Sequence, residues 1–346
     1  MTNEPKYHFF GITNAGCKET TVEGIPIQLL ECNNLSAILY PATFEENDLF
    51  DKNKLVCLLK TYQHALESIR PNGTIIPIQL STLSLKDTEI RQILNNYYDP
   101  LHALIKVLKD KEEFEVQVRW NDLSQVLKSL STSQEFINSL KTRLGSETKT
   151  SVQVEDQLYA GKLLANALEE KRKKIAEETI AALGPYSFNF KTLPITEESL
   201  AAHISFLVDS SKEEVFYNEL DKFSESGEYG QILKFRSVGP LVPYSYATIS
   251  ITYLSSADIE NFKSLLNLQD DLLSERILKH QMRELALIYH PDKDKSKEEI
   301  FKKMIDAYKL LSALVDMKPS KTIELSKYKD RYVLAIPNLS QDLALV

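Results

Sequence analysis

Two periodicities organise the chain. Over residues 113–120, Phe114, Val116, Val118 and Trp120 alternate with Glu115, Gln117 and Arg119. That period of two predicts a strand with one wet face. Further along, the spacing becomes helical. Leu278, Met282, Leu285, Ala286 and Tyr289 mark one apolar face, and Phe301, Met304, Ile305, Tyr308 and Leu311 mark a second. Pro291 cannot extend the first of these helices and pushes His290 out of the α region, so the helix is expected to stop there. The polar stretch 292–297 makes the bend. The pattern therefore predicts a helical hairpin with His290, Pro291 and Asp292 at its tip.

Upstream, apolar runs bounded by turn residues predict strands at 7–12, 25–31, 35–41 and 74–80, with helices at 54–69 and 86–108. Together with the strand at 113–120 they suggest an N-terminal α+β domain over 1–122. Residues 123–184 read as a helical middle. Within it 155–183 is one long helix, and its charge runs around Lys171, Arg172, Lys173 and Lys174 form a solvated, salt-bridge-laced face. Gly184 and Pro185 end that helix. Strand-like runs at 186–190 and 200–208, a helix at 213–223, and strands at 231–237 and 247–253 predict a ferredoxin-like α+β second domain over 185–255. The all-α hairpin occupies 256–318. The tail, 319–346, contains Tyr332, Val333, Leu334, Ala335 and Ile336; it is too apolar to stay free and is expected to pack back as a strand.

Charge and composition narrow the function. The 41 basic and 49 acidic residues give a net charge of −8. Residues 257–318 hold eleven basic and twelve acidic groups, so most of the acidic excess lies upstream. An acidic body argues against a nucleic-acid partner. No run of about 18 apolar residues occurs and the start lacks a secretory pattern, so the expectation is a cytoplasmic protein with no membrane partner. Cys17, Cys32 and Cys57 are odd in number and lack metal spacing; they read as buried or free thiols, with no metal or cofactor expected. His8, His64, His102 and His203 stand singly in apolar or helical segments and read as packed or surface residues. His290 and Asp292 could serve acid–base chemistry. No nucleophile motif, phosphate-binding glycine loop or metal-spaced set accompanies them, so an enzyme is not expected.

The text around His290-Pro291-Asp292-Lys293 carries a resemblance. Residues 283–289 (RELALIY) and 301–312 (FKKMIDAYKLLS) resemble helices II and III of a DnaJ-type J domain, and 262–268 (FKSLLNL) stands where the first helix would be. The resemblance covers about 257–314. It implies that the loop and the basic face of helix II dock on a DnaK-type chaperone and stimulate its ATP hydrolysis. The positions matching that face are Arg276, Lys279, His280 and Arg283, one stripe at helical spacing. Glu284 and Ile288 fall where the family usually has Lys. The usual start of a fourth helix is missing after Ser312.

A second resemblance covers about 6–254. Tyr7 to Ile12 (YHFFGI), Leu35 to Leu39 (LSAIL), His64, 76–82 (IPIQLST), 111–120 (KEEFEVQVRW), 202–223 and 238–246 (VGPLVPYSY) follow, in order, the motifs of the gas vesicle GvpF/GvpL family. Gln79, Ser81 and Leu241 replace the family's Arg, Gly and Trp. The resemblance implies an accessory or minor structural protein whose partners are the gas vesicle shell protein and other gas vesicle accessory proteins. Joined to a J-like domain, it implies recruitment of a DnaK-type chaperone during assembly. The alternative is a purely structural vesicle component with a degenerate J-like docking domain.

Overall fold

The computed structural model describes residues 4–17, 20–22, 24–44, 48, 50–81, 83–144, 154–226, 229–318, 320–337 and 339. Thr82 of the 76–82 motif, residues 145–153 of the helical middle, and 319, 338 and 340–346 of the tail lie outside the described residues. The fold is α+β. The chain divides into two units: Met1–Lys109 with Val242–Val346, and Asp110–Leu241.

The first unit begins with β1 (Lys6–Asn14), β2 (Thr20–Val22), β3 (Ile25–Cys32), β4 (Leu35–Pro41), α1 (Lys52–Ile69), β5 (Ile75–Pro77), β6 (Ser84–Lys86), α2 (Asp87–Asn96) and α3 (Tyr98–Leu108). The strand order is β2-β3-β4-β1-β5, with β6 also on β1. β1 is central, which is why it is apolar on both faces and buried from Tyr7 to Ile12. Its register shifts between Phe9 and Gly11. A Cβ at Gly11 would stand 2.8 Å from Leu66 Cδ2 and 3.1 Å from the Ile76 carbonyl oxygen, so the close packing beside the bulge favours glycine. α1 starts where the Asp51 carboxylate accepts the Asn53 and Lys54 amides, at 2.9 and 3.3 Å. It buries Leu58, Thr61, Tyr62, Ala65, Leu66 and Ile69. The strand expected over 74–80 is shorter. Pro77 has no N–H for a ladder, and the chain goes on to an isolated parallel bridge between Ile78 and Ile249.

The second unit holds β7 (Lys111–Trp120), α4 (Leu123–Ser131), α5 (Gln134–Leu144), α6 (Val154–Leu183), β8 (Asn189–Thr192), β9 (Leu200–Asp209), α7 (Glu213–Glu225), α8 (Tyr229–Ile232) and β10 (Leu233–Leu241). Its order is β10-β7-β9-β8, antiparallel throughout. This is a ferredoxin-like split βαβ sheet. Its extent differs from expectation. β7 was expected to close the N-terminal domain, and residues 123–184 to stand as a helical middle; they are instead the first strand and first crossover of this sheet. Alternation shows that β7 has one wet face without saying which sheet it joins. Its apolar face settles the matter: Phe114, Val116, Val118 and Trp120 share one core with Ile175 and Leu183 of α6 and Phe216 and Leu220 of α7. Arg172 also departs from the solvated-face reading. Its guanidinium donates to the Leu200 and Glu198 carbonyls at 3.1 and 3.0 Å, tying α6 to the start of β9. Gly239 (φ +157°) leaves no room for a Cβ, which would stand 2.7 Å from Phe114 Cδ1 and 2.9 Å from the Glu113 carbonyl.

The chain then returns to the first unit with α9 (Tyr244–Ala247), β11 (Ser250–Leu254), α10 (Ser256–Leu265), β12 (Leu272–Ser274), α11 (Glu275–Tyr289), α12 (Glu298–Asp316), β13 (Thr322–Glu324) and β14 (Arg331–Ala335). β11, expected in the ferredoxin-like sheet, pairs with β14 instead. β12 pairs with β13. Two nested ladders thus clamp the base of the three helices. α10 begins before the expected 262. Ser255 and Asp258 form a capping box there, with the Asp258 amide donating to Ser255 Oγ at 3.1 Å and the Ser255 amide to Asp258 Oδ2 at 2.9 Å. Ile323, Leu325 and Val333 from the returning tail join Leu278, Met304, Leu311 and Leu314 in one core. Among the described residues, the tail supplies this apolar cover through Ile323, Leu325 and Val333.

Candidate partner-docking site

The α11–α12 hairpin carries the predicted site residues. α11 starts at Ser274, whose Oγ accepts the Ile277 amide at 3.3 Å. Glu275 in the first turn suits the positive end of the helix dipole. It pairs with Lys279; this hydrogen bond lowers the Glu275 pKa and raises that of Lys279. Arg276, Lys279, His280 and Arg283 are all exposed on one face, as the spacing predicted. Their charge is thinner than the sequence suggests, because Lys279 is held by its own helix.

The helix ends at His290, which is extended (φ −61°, ψ 131°) ahead of Pro291. The His290 amide still donates to the Ala286 carbonyl at 3.1 Å, and its carbonyl accepts the Lys293 amide at 3.0 Å. The imidazole Nδ1 accepts the Asp292 amide at 3.3 Å. The Asp292 carboxylate lies 3.4 Å from the same nitrogen. One nitrogen cannot accept and donate at once, so with the amide bonded to it Nδ1 does not also donate to the carboxylate. The Asp292 side chain is 89% exposed, which favours the amide bond as the anchor and leaves the carboxylate facing water. The other side of the ring packs edge-on against Phe301, centroids 5.3 Å apart, which ties the tip to the first turns of α12.

Lysines close the loop. Lys293 Nζ donates to the Leu287 carbonyl at 2.8 Å, and Lys297 Nζ to the Ile288 carbonyl at 3.2 Å. These are carbonyls that a helix end leaves without partners, at the negative end of its dipole. Lys297 also stands over the Tyr289 ring, 5.3 Å from its centroid. Asp294 caps the following turn through the Ser296 amide and hydroxyl, at 3.0 and 2.7 Å, and these bonds lower its pKa. Sequence reasoning placed Lys293 on the docking face but missed this inward role, and it missed Lys297. Patterning does not separate a lysine that reaches out from one that folds back.

Residues 7–248 match the family model for gas vesicle synthesis protein GvpL/GvpF, which is more than half the chain. The chain belongs to the GvpL/GvpF family. Residues 262–316 match the DnaJ domain model, so this GvpL/GvpF protein carries a J domain, and the hairpin lies within it. Two solved structures are similar in fold. The gas vesicle protein GvpF from Anabaena sp. PCC7120 aligns with TM-score 0.59 and 19% identity, covering 71% of this chain and 99% of that one. GvpF from Microcystis aeruginosa aligns with TM-score 0.55 and 17% identity, covering 70% and 99%. No curated protein matches the chain.

Elsewhere in this GvpL/GvpF protein His64 is exposed, and three other histidines each have at least one ring contact. His8 is buried, which lowers its pKa, and its Nε2 accepts the Phe44 amide at 3.2 Å. His102 stacks on Tyr98, and His203 lies 3.1 Å from Glu115 across the second sheet. Among the described residues no group of three or more His, Cys, Asp or Glu side chains could hold a metal ion, and no helix is long and apolar enough to cross a membrane.

Proposed function

We propose that the chain acts in gas vesicle assembly. Its GvpL/GvpF part holds the shell protein and sibling accessory proteins, and its J domain recruits a DnaK-type chaperone to them. The work would take place in the cytoplasm at the growing vesicle, without catalysis by the chain itself. One observation carries the reading: a GvpL/GvpF body and a J domain occupy one chain, and the Asp292 carboxylate stands exposed at a tip braced by His290, Phe301, Lys293 and Lys297. A polymer of small apolar subunits exposes aggregation-prone strands before it assembles. A chain that binds such subunits and an ATPase together raises the effective concentration of one beside the other without any new contact. The test is capture on the tagged full chain with shell protein and the host's DnaK-type ATPase. The reading expects both partners on the same molecule, and loss of the ATPase alone with Asp292→Asn. Partners that bind only in mutual exclusion contradict client delivery.

The second reading is a structural vesicle component whose J domain only docks or packs. The Lys279–Glu275 pair and the inward Lys293 favour it, since both reduce the cationic face. It predicts no effect on ATP hydrolysis by the chaperone.

A further inference from the structure

We propose that Leu287 and Ile288 set the partner specificity of this J domain, contributing apolar contact to a DnaK-type ATPase where charge alone is too thin. The proposal rests on the reading above, that the hairpin tip meets such an ATPase. Leu287 is 62% exposed and Ile288 56%, side by side in the last turn of α11 before His290. Neither belongs to the core that α11 shares with α12. An isolated exposed leucine needs no explanation. Two adjacent branched apolar residues bordering His290, Pro291 and Asp292 are a different case.

Three further observations point the same way. The face that continues into this pair has three formal cations, Arg276, Lys279 and Arg283, beside two carboxylates, Glu275 and Glu284, and one of the cations is paired with Glu275. Attraction to an acidic surface is correspondingly weak. The backbone carbonyls of Leu287 and Ile288 are already occupied by Lys293 and Lys297, so what this turn offers a partner is mainly apolar surface. The same lysine bonds fix the turn, so little conformational freedom remains to be lost on binding. Leu287 lies four residues after Arg283, and Ile288 four after Glu284; the pair therefore extends the exposed face rather than a separate one.

Salt and mutation separate apolar from charged contact, because salt screens exposed charges over about 8 Å at physiological strength and leaves apolar burial intact. The experiment titrates the full chain into the host's DnaK-type ATPase and follows steady-state ATP hydrolysis at about 50 and about 300 mM salt. The parent is compared with Leu287→Ala/Ile288→Ala and with Ile288→Lys. Both positions are exposed, and circular dichroism checks that the variants stay folded. The expected result is stimulation by the parent, with a half-maximal concentration that moves less than about threefold with salt. The double-alanine variant should need about tenfold more protein. Ile288→Lys should restore salt dependence. Unchanged half-maximal concentrations in the double-alanine variant, with the parent active, overturn this proposal and leave the chaperone reading standing. No stimulation by the parent overturns both.

Discussion

The two helices of the J-domain hairpin have the same periodicity and opposite roles. α12 buries Phe301, Met304, Ala307, Leu311, Leu314 and Val315. α11, four residues shorter, fully buries Leu278 alone and leaves Leu287 and Ile288 in water. A 3.6-residue apolar pattern thus buries most of its residues in one helix and leaves an exposed apolar pair on the other. The lesson is that amphipathicity alone does not apportion apolar residues between folding and binding; the burial of each side chain does. α12 and the returning tail hold the fold, which frees α11 to present charge and apolar surface at its solvent side.

The comparison can be broken most strongly at Leu311, which is fully buried. Leu311→Ala should destabilise the hairpin by about 2–5 kcal/mol, through lost transfer energy and a residual cavity. Leu287→Ala should stay within about 0.5 kcal/mol of the parent. Hydrogen exchange of the α11 and α12 amides measures both; comparable losses would erase the division between the helices. Next is Ser274→Ala, which removes the cap of α11 and should cost about 1 kcal/mol. Its effect should appear as faster exchange in the first turn of α11, with α12 nearly unchanged.

A pH prediction concerns the base of the hairpin. Asp271 is held down to about 2, first by the Ser326 hydroxyl, with Lys263 and the Ser326 amide adding to it against partial desolvation. A depressed folded pKa stabilises above the ordinary carboxylate range, near about 3.9, and that stability is lost as pH falls through about 2. Asp271→Asn should therefore flatten the acid limb of the J-domain melting curve between pH about 4 and 2, while lowering stability modestly at neutral pH. A parent and variant with parallel acid limbs would show that the pair contributes nothing. A small effect is expected at Lys293→Ala, under about 1 kcal/mol, because its ammonium caps a helix end in water. Exchange of the Lys293 and Asp294 amides, both bonded to the His290 carbonyl, would report it.

Much of this was legible in the sequence, and the gaps have physical causes. The hairpin, its end at His290 and the exposed stripe follow from periodicity and Pro291. The central strand β1 and helix α1 follow from apolar runs, while the Asp51 cap that starts α1 two residues early was seen only in the structure. What patterning could not supply was partnership. β7 alternates whichever sheet it joins, so a ferredoxin-like sheet legible from 185 onward in fact begins at Lys111. β11 likewise pairs with a strand far along the chain, β14, and a local reading assigned it to its neighbours. Leu325 gave no period of its own, so its contribution to the core shared with α12 was invisible. In the site, the helical spacing of Arg276, Lys279, His280 and Arg283 was legible, but the inward turn of Lys293 and the exposure of Leu287 belong to geometry.

The central claim is that the hairpin tip acts on a DnaK-type ATPase. Steady-state ATP hydrolysis by the host's ATPase, with the full chain and with its Asp292→Asn form, tests it most directly. The account predicts stimulation by the parent and its loss in the variant, with the fold unchanged because the Asp292 side chain is almost wholly exposed. Equal rates with parent, variant and no added protein would contradict it and leave the J domain as a docking element of a structural vesicle protein.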